Sequence, residues 1–175
     1  MTRRPAVLAG VAVAGALGPL AELDVRLKWP NDVLVGDRKL AGILAERVED
    51  ALVLGVGINV SMRADELPVP TATSLLLEGS AVVDRMPVLL AVLRSMGRLY
   101  AEFAEASGDA DASGLRSSYR GLCSTLGTAV RAELPGERVV TGTGSDVDES
   151  GRLILETADG TEPIGAGDVI HLTRP

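Results

Sequence analysis

The sequence predicts an α+β fold: an antiparallel or mixed sheet with packed helices, followed by a small all-β module. Three observations carry this. Short apolar runs broken by turn residues crowd residues 23–60, helical patterns occupy residues 6–21 and 87–105, and evenly spaced short strands fill roughly the last fifty residues.

The chain has 175 residues, enough for one domain or a small domain plus a module. It is 46% hydrophobic but 2% aromatic, so its core is built from Val, Leu, Ala and Ile. A net charge of −7 argues against a nucleic-acid partner, because phosphate-backbone binding calls for a basic face. The single Cys123 excludes an internal disulfide and fits a reducing cytoplasm. With one Cys and one His (His171), this chain cannot assemble a thiolate or imidazole zinc site.

Taken in order, Arg3 and Arg4 precede an uncharged Ala/Val/Gly-rich run over residues 6–21 that imitates a signal peptide. The run is short for a membrane span and reads as a buried helix, with Pro5 in its first turn and Gly18-Pro19 ending it. Residues 23–27 alternate as a strand, with Leu23, Val25 and Leu27 on one face. Pro30 and Asn31-Asp32 interrupt it, residues 33–35 resume it, and Gly36-Asp37 forms a hairpin turn. The return strand runs over residues 39–47, Glu49-Asp50 turns again, and residues 51–60 are apolar enough for a covered central strand. Gly55 and Gly57 inside that strand imply either close approach of a ligand or a bulge that curves the sheet.

Residues 63–70 form a polar loop. From Pro87 a helix carries Leu89, Leu93, Met96, Leu99, Tyr100 and Phe103 on one stripe, read as core, with Arg94, Arg98, Glu102 and Glu105 opposite. Residues 108–114 read as a flexible loop and residues 115–122 as a short helix. Strands over 128–134, 139–143, 152–157 and 169–172 then suggest a small SH3-like barrel. His171, with no partner in sequence for catalysis or metal binding, reads as structural.

Three polar clusters stand out on the aliphatic background: Lys28-Trp29-Pro30-Asn31-Asp32, Lys39-Leu40-Ala41-Gly42, and Gly55-Val56-Gly57-Ile58-Asn59. Alone, each has an ordinary reading: a capped bend, a surface lysine beside a hairpin, a bulged strand. In this order and spacing they resemble the central part of the catalytic domain of biotin protein ligases. Residues 71–76, TATSLL, and the ending 166–172, AGDVIHL, resemble later segments of the same family.

The resemblance implies a partial, class II synthetase-like catalytic domain over residues 1–122 and a C-terminal SH3-like domain over residues 123–175. It implies ATP-dependent formation of biotinyl-5′-AMP, then transfer of biotin to a lysine of a biotin carboxyl carrier protein of acetyl-CoA or pyruvate carboxylase. Lys39 is the implied cation between the biotin carboxylate and the α-phosphate, with Lys28 as a second positive charge. Asn31, Gly42, Gly55, Gly57 and Asn59 are the implied substrate- and ATP-binding residues, Asn59 having an amide able to meet a purine edge. Asp32 is expected either to bind Mg²⁺ or to orient the acceptor lysine. The acyl transfer uses an already activated anhydride, so no Ser-His or Cys-His pair is required. A homodimer is admitted, and no membrane partner is expected.

The family's Gly/Arg-rich biotin loop (GRGRxGR-like) has no counterpart here, and Arg3-Arg4-Pro5 does not replace it. The expectation is therefore a truncated product or a start assigned too late, weak or no biotin binding by the isolated chain, and no repressor activity. Two other readings compete: a lipoate-type ligase, and a catalytically incompetent remnant that contacts a carrier domain.

Overall fold

The computed structural model describes residues 4–172; Arg3 of the basic pair lies outside them. Helix α1 (Arg4–Ala21) buries twelve of its eighteen residues. It is long and apolar enough to cross a membrane by length and composition, yet it packs on helix α2 (Arg85–Glu105), helix α3 (Leu115–Leu122) and strand β1 (Val25–Lys28). This is the buried helix the sequence predicts. Its end differs: Pro19 sits inside the last turn, and Glu22 at φ 57° ends the helix while the Leu23 N–H reaches the Gly18 carbonyl at 3.1 Å. That six-to-one bond closes a Schellman motif, so Pro19 costs little this near the terminus.

The first sheet is antiparallel in the order β1, β2 (Asp32–Val35), β3 (Arg38–Val48), β4 (Ala51–Ile58). Gly36 at φ 56° and Glu49 at φ 53° take the left-handed turns between strands, where the sequence places them. The Trp29–Pro30 peptide is cis. One face packs on α1 through Val33, Ala41 and Ile43, all buried.

Two expectations of burial are corrected. Strand β4 is an outer strand among the described residues, with Leu52 and Val53 exposed. On α2, Val88, Val92 and Leu99 are buried, whereas Leu89, Leu93 and Tyr100 are exposed. The helix is apolar on two adjacent stripes, and only the one facing α1 is covered. Residues 108–114 are likewise not free: Asp109 Oδ1 accepts from the N–H groups of Asp111 (2.8 Å) and Ala112 (3.0 Å), and Ala110 is buried.

The second sheet has the order β8 (Gly160–Ile164), β7 (Leu153–Thr157), β6 (Arg138–Val147), β5 (Ala129–Leu134), β9 (Asp168–His171), all antiparallel. Strand β8 exceeds the four predicted, because Pro163 and its polar neighbours disguise an edge strand. The two sheets meet where Leu27 bridges Cys123 and the Ser124 N–H donates to the Leu27 carbonyl at 2.8 Å. One hydrophobic cluster runs through both, from Ala6 to Val169.

Candidate active site

The register of the first sheet gathers the three polar clusters. Lys28 pairs with Asp32, Asp32 with Gly42, and Gly42 with Gly57, a single row across all four strands. Directly paired residues share a face, so this row lies on the side away from α1.

Lys39 joins the row through an irregularity. Three residues from Gly42, it would point to the opposite face of a regular strand. The register shifts between Val33 and Leu34, so that Leu34 pairs with Lys39 while Val33 pairs with Ala41, and Leu40 is the extra residue. This β-bulge flips the parity: Lys39 turns onto the face of Asp32 and Gly42, and Leu40 is fully buried. Lys39 Nζ then reaches Asp32 Oδ1 at 2.5 Å, crossing Gly42. A Cβ at Gly42 would meet Lys39 Cε at 3.2 Å and Nζ at 3.4 Å, so glycine is what lets the lysine lie there. One at Gly57 would meet nothing within 4 Å; the sheet face above it is open. Strands β3 and β4 pair without a shift, so the bulge lies at Lys39-Leu40 and not at the two glycines of β4.

A bulge leaves backbone groups without ladder partners, and here residues 59–73 supply them. The Lys39 N–H donates to the Thr71 carbonyl (2.9 Å), the Thr73 N–H to the Lys39 carbonyl (2.8 Å), and the Asn59 N–H to the Leu40 carbonyl (3.0 Å). Thr73 and Ser74 are fully buried, which gives the TATSL segment its role: it is the brace behind the lysine. Sequence reasoning noted the segment but not this use of it.

Both asparagines are braced too. Asn31 Nδ2 donates to the Ile43 carbonyl and Asn59 Nδ2 to the Thr73 carbonyl, each at 2.9 Å. The Asn59 amide thus spends a donor on the scaffold, and the part it could offer a purine edge is its oxygen. Gly55 lies on the same open face as Gly57, opposite exposed Leu44.

Lys28, Asp32 and Lys39 line a cleft of about 510 Å³ whose other wall is Ser124, Ile170 and His171 from the C-terminal part. Burial, helped by the positive charge of Lys28 and opposed by Asp37, holds His171 below its ordinary pKa. Its Nε2 lies 3.0 Å from Thr125 Oγ1. The cleft holds two ammonium groups, Lys28 and Lys39, and two carboxylates, Asp32 and Asp37, and the open sheet face at Gly57 continues the row beside it. The ammonium groups suit the negatively charged part of a ligand. Among the described residues no group of three or more His, Cys, Asp or Glu could hold a metal, so Asp32 offers a single carboxylate and not a cage.

Comparison with known proteins gives the chain's relatives. Residues 6–62 match the Biotin/lipoate A/B protein ligase family, and residues 125–172 match the Biotin protein ligase C terminal domain. The chain is 41% identical over 167 residues to the biotin–[acetyl-CoA-carboxylase] ligase of Mycobacterium tuberculosis (strain ATCC 25618 / H37Rv), covering 94% of this chain and 60% of that protein. It is 32% identical to the ligase of the same name from Paracoccus denitrificans, covering 90% of this chain and 67% of that one. Its structure superposes on the biotin protein ligase from Aquifex aeolicus in complex with biotin and ATP with a TM-score of 0.80, at 31% identity, covering 99% of this chain and 72% of that one. The fold is that of the biotin protein ligase structures on which it superposes. The chain belongs to the biotin protein ligase family, and it spans 60% of the length of its M. tuberculosis relative.

Proposed function

We propose that this chain carries the adenylation and transfer residues of an ATP-dependent biotin–protein ligase. The observation that supports it most is the single row Lys28–Asp32–Gly42–Gly57 with Lys39 turned over it by the bulge. Joining biotin to AMP brings a carboxylate against a phosphate, two groups that repel. The Lys39 ammonium, free to swing from Asp32, neutralises charge on both and most strongly in the transition state. Lys28 adds a second charge along the same row, Gly42 makes room for Lys39, and Gly55 and Gly57 let the ligand approach the backbone closely. Asn31 and Asn59 hold the strand ends, and Asn59 keeps its amide oxygen for the nucleotide. Magnesium, which neutralises triphosphate charge when bound, needs only one or two carboxylates beside substrate phosphates, and Asp32 would supply one.

In the second half-reaction the carrier lysine attacks the biotinyl carbonyl and AMP leaves, a transfer that needs shelter from water and an oriented amine. The acceptor is a biotin carboxyl carrier protein of an acetyl-CoA or pyruvate carboxylase. The relatives named for acetyl-CoA carboxylase ligation support this, as does the Aquifex complex with biotin and ATP. A division into a catalytic part (residues 1–122) and a C-terminal module (residues 123–175) and a cytoplasmic setting belong to the same proposal. The two separate family matches and the single buried Cys123 support them. The test is to incubate the chain with biotin, MgATP and a carrier domain and to follow the carrier's gain of one biotinyl group by mass spectrometry. Labelling that needs ATP, prefers biotin to lipoate and vanishes in Lys39→Ala supports the reading; ATP-independent labelling refutes it.

A further inference from the structure

Lys28 lies between two residues that the C-terminal part grips. On one side, the Leu27 carbonyl accepts from the Ser124 N–H at 2.8 Å and from the Ser124 hydroxyl at 3.0 Å. On the other, the Trp29 N–H donates to Thr125 Oγ1 at 3.0 Å, and the Trp29 indole N–H donates to the Gly151 carbonyl at 3.0 Å. Trp29 and Thr125 are fully buried. Thr125 Oγ1 also lies 3.0 Å from His171 Nε2, so one hydroxyl joins the KWPND run to strand β9 across 96 and 46 residues of sequence. The Thr125 backbone is itself fixed, because its carbonyl oxygen packs against Gly144, where a Cβ would collide with it. A surface contact would not be built this way. A buried hydroxyl placed between the Trp29 N–H and His171, with the Cys123 thiol also beside it, favours one geometry, since buried polar groups are costly to leave unbonded.

We propose that Thr125 and His171 are positioning residues for Lys28 and its neighbours, so that the C-terminal module sets the geometry of the active site through this joint. The inference rests on the ligase reading for its catalytic consequence and on geometry alone for the joint. Leu27 and Trp29 are drawn towards the module, and Lys28, between them, is presented to the cleft it shares with Asp32 and Lys39. The Thr125 hydroxyl sets that presentation and His171 holds the hydroxyl.

The chain's one tryptophan and one histidine both sit at this joint, which makes it observable without any activity. Wild type, Thr125→Val, Thr125→Ser and His171→Phe are compared by acrylamide quenching of Trp29 emission and by kcat and KM for ATP and biotin. Thr125→Val and His171→Phe are expected to make Trp29 easier to quench and to lower kcat by roughly tenfold to a hundredfold, the scale for displaced catalytic groups. KM values move less than kcat, and Thr125→Ser, which keeps the hydroxyl, behaves as wild type. A merely structural contact would lower the melting temperature yet leave kcat intact well below it, and that result overturns the proposal. So does Thr125→Ser failing as badly as Thr125→Val, which would make the methyl group the active part. If wild type shows no turnover, the ligase reading of this chain fails, and the quenching series alone decides the joint: no change in Thr125→Val overturns it. If Thr125→Val does not fold, His171→Phe on the half-buried outer strand carries the same test.

Discussion

Gly42→Ala separates the catalytic reading from a stability reading. Gly42 is not among the residues with positive φ, so an alanine fits its backbone. The new Cβ would lie 3.2 Å from Lys39 Cε and 3.4 Å from Nζ, a few tenths of an ångström inside comfortable contact. The neighbour is the end of a flexible side chain with 43% exposure, so it gives way. Two small terms then oppose each other in stability. Losing the partly exposed Lys39–Asp32 pair costs about 0.2–1 kcal/mol, while removing glycine's unfolded-state freedom contributes about 0.4–1 kcal/mol. The net is near zero, so the melting temperature should move by no more than about 3 °C in a chain of this size. The displaced ammonium should nonetheless lower carrier biotinylation by roughly tenfold to a hundredfold. Thermal unfolding by circular dichroism and a steady-state transfer assay on the same preparation give both numbers. Unchanged turnover would refute the argument that Lys39 works from its place above Gly42. A fall in melting temperature of about 10 °C or more would refute the claim that only the side chain's end yields.

Further outcomes follow from the same geometry. Lys39→Ala removes a charge worth about 4 kcal/mol at 4 Å in an effective dielectric of about 20, so biotinyl transfer should fall by about a thousandfold with the fold retained. Lys39→Arg, whose planar fork cannot replace a compact ammonium over Gly42, should recover only part of it. Gly144→Ala drives a Cβ into the Thr125 carbonyl oxygen, a backbone atom that cannot step aside. It should destabilise by about 1–3 kcal/mol, read as a melting temperature lower by about 2–12 °C. For His171 the folded pKa lies below the ordinary value of roughly 6.5. The unfolded chain therefore binds the proton more readily, and this stability is present above that value and lost as pH falls through it towards the folded pKa. Denaturant midpoints between about pH 7.5 and 5.5 should decline with acid in wild type and flatten in His171→Gln; an unchanged slope in the variant would place the effect elsewhere.

Much of the fold is legible because its turns are written in local chemistry. Gly36-Asp37 and Glu49-Asp50 stand between apolar runs, and the first residue of each takes the left-handed conformation of a tight turn. The three clusters are legible as a motif, yet their meeting on one face is not. It depends on strand pairing and on a bulge at Leu40, which in sequence is one more leucine in an aliphatic run. The stripe of Leu89, Leu93 and Tyr100 misleads for a related reason. Periodicity shows that a face is apolar, not which of two neighbouring apolar faces another element covers. Strand β8 hides behind Pro163, and the Thr125–His171 joint spans too great a sequence separation for any local signal to reveal.

The bulge at Leu40 also constrains anyone who would transplant or edit this site. Moving KLAG into a regular hairpin would carry every residue of the motif and still aim the lysine into the core side of the sheet. Deleting Leu40 would do the same in place, keeping every charged group while reversing the side on which Lys39 stands. At this position chain length is a functional parameter in its own right. A conservative deletion should be harsher than a radical substitution of the same leucine, and sequence libraries that vary composition at fixed length would never sample it.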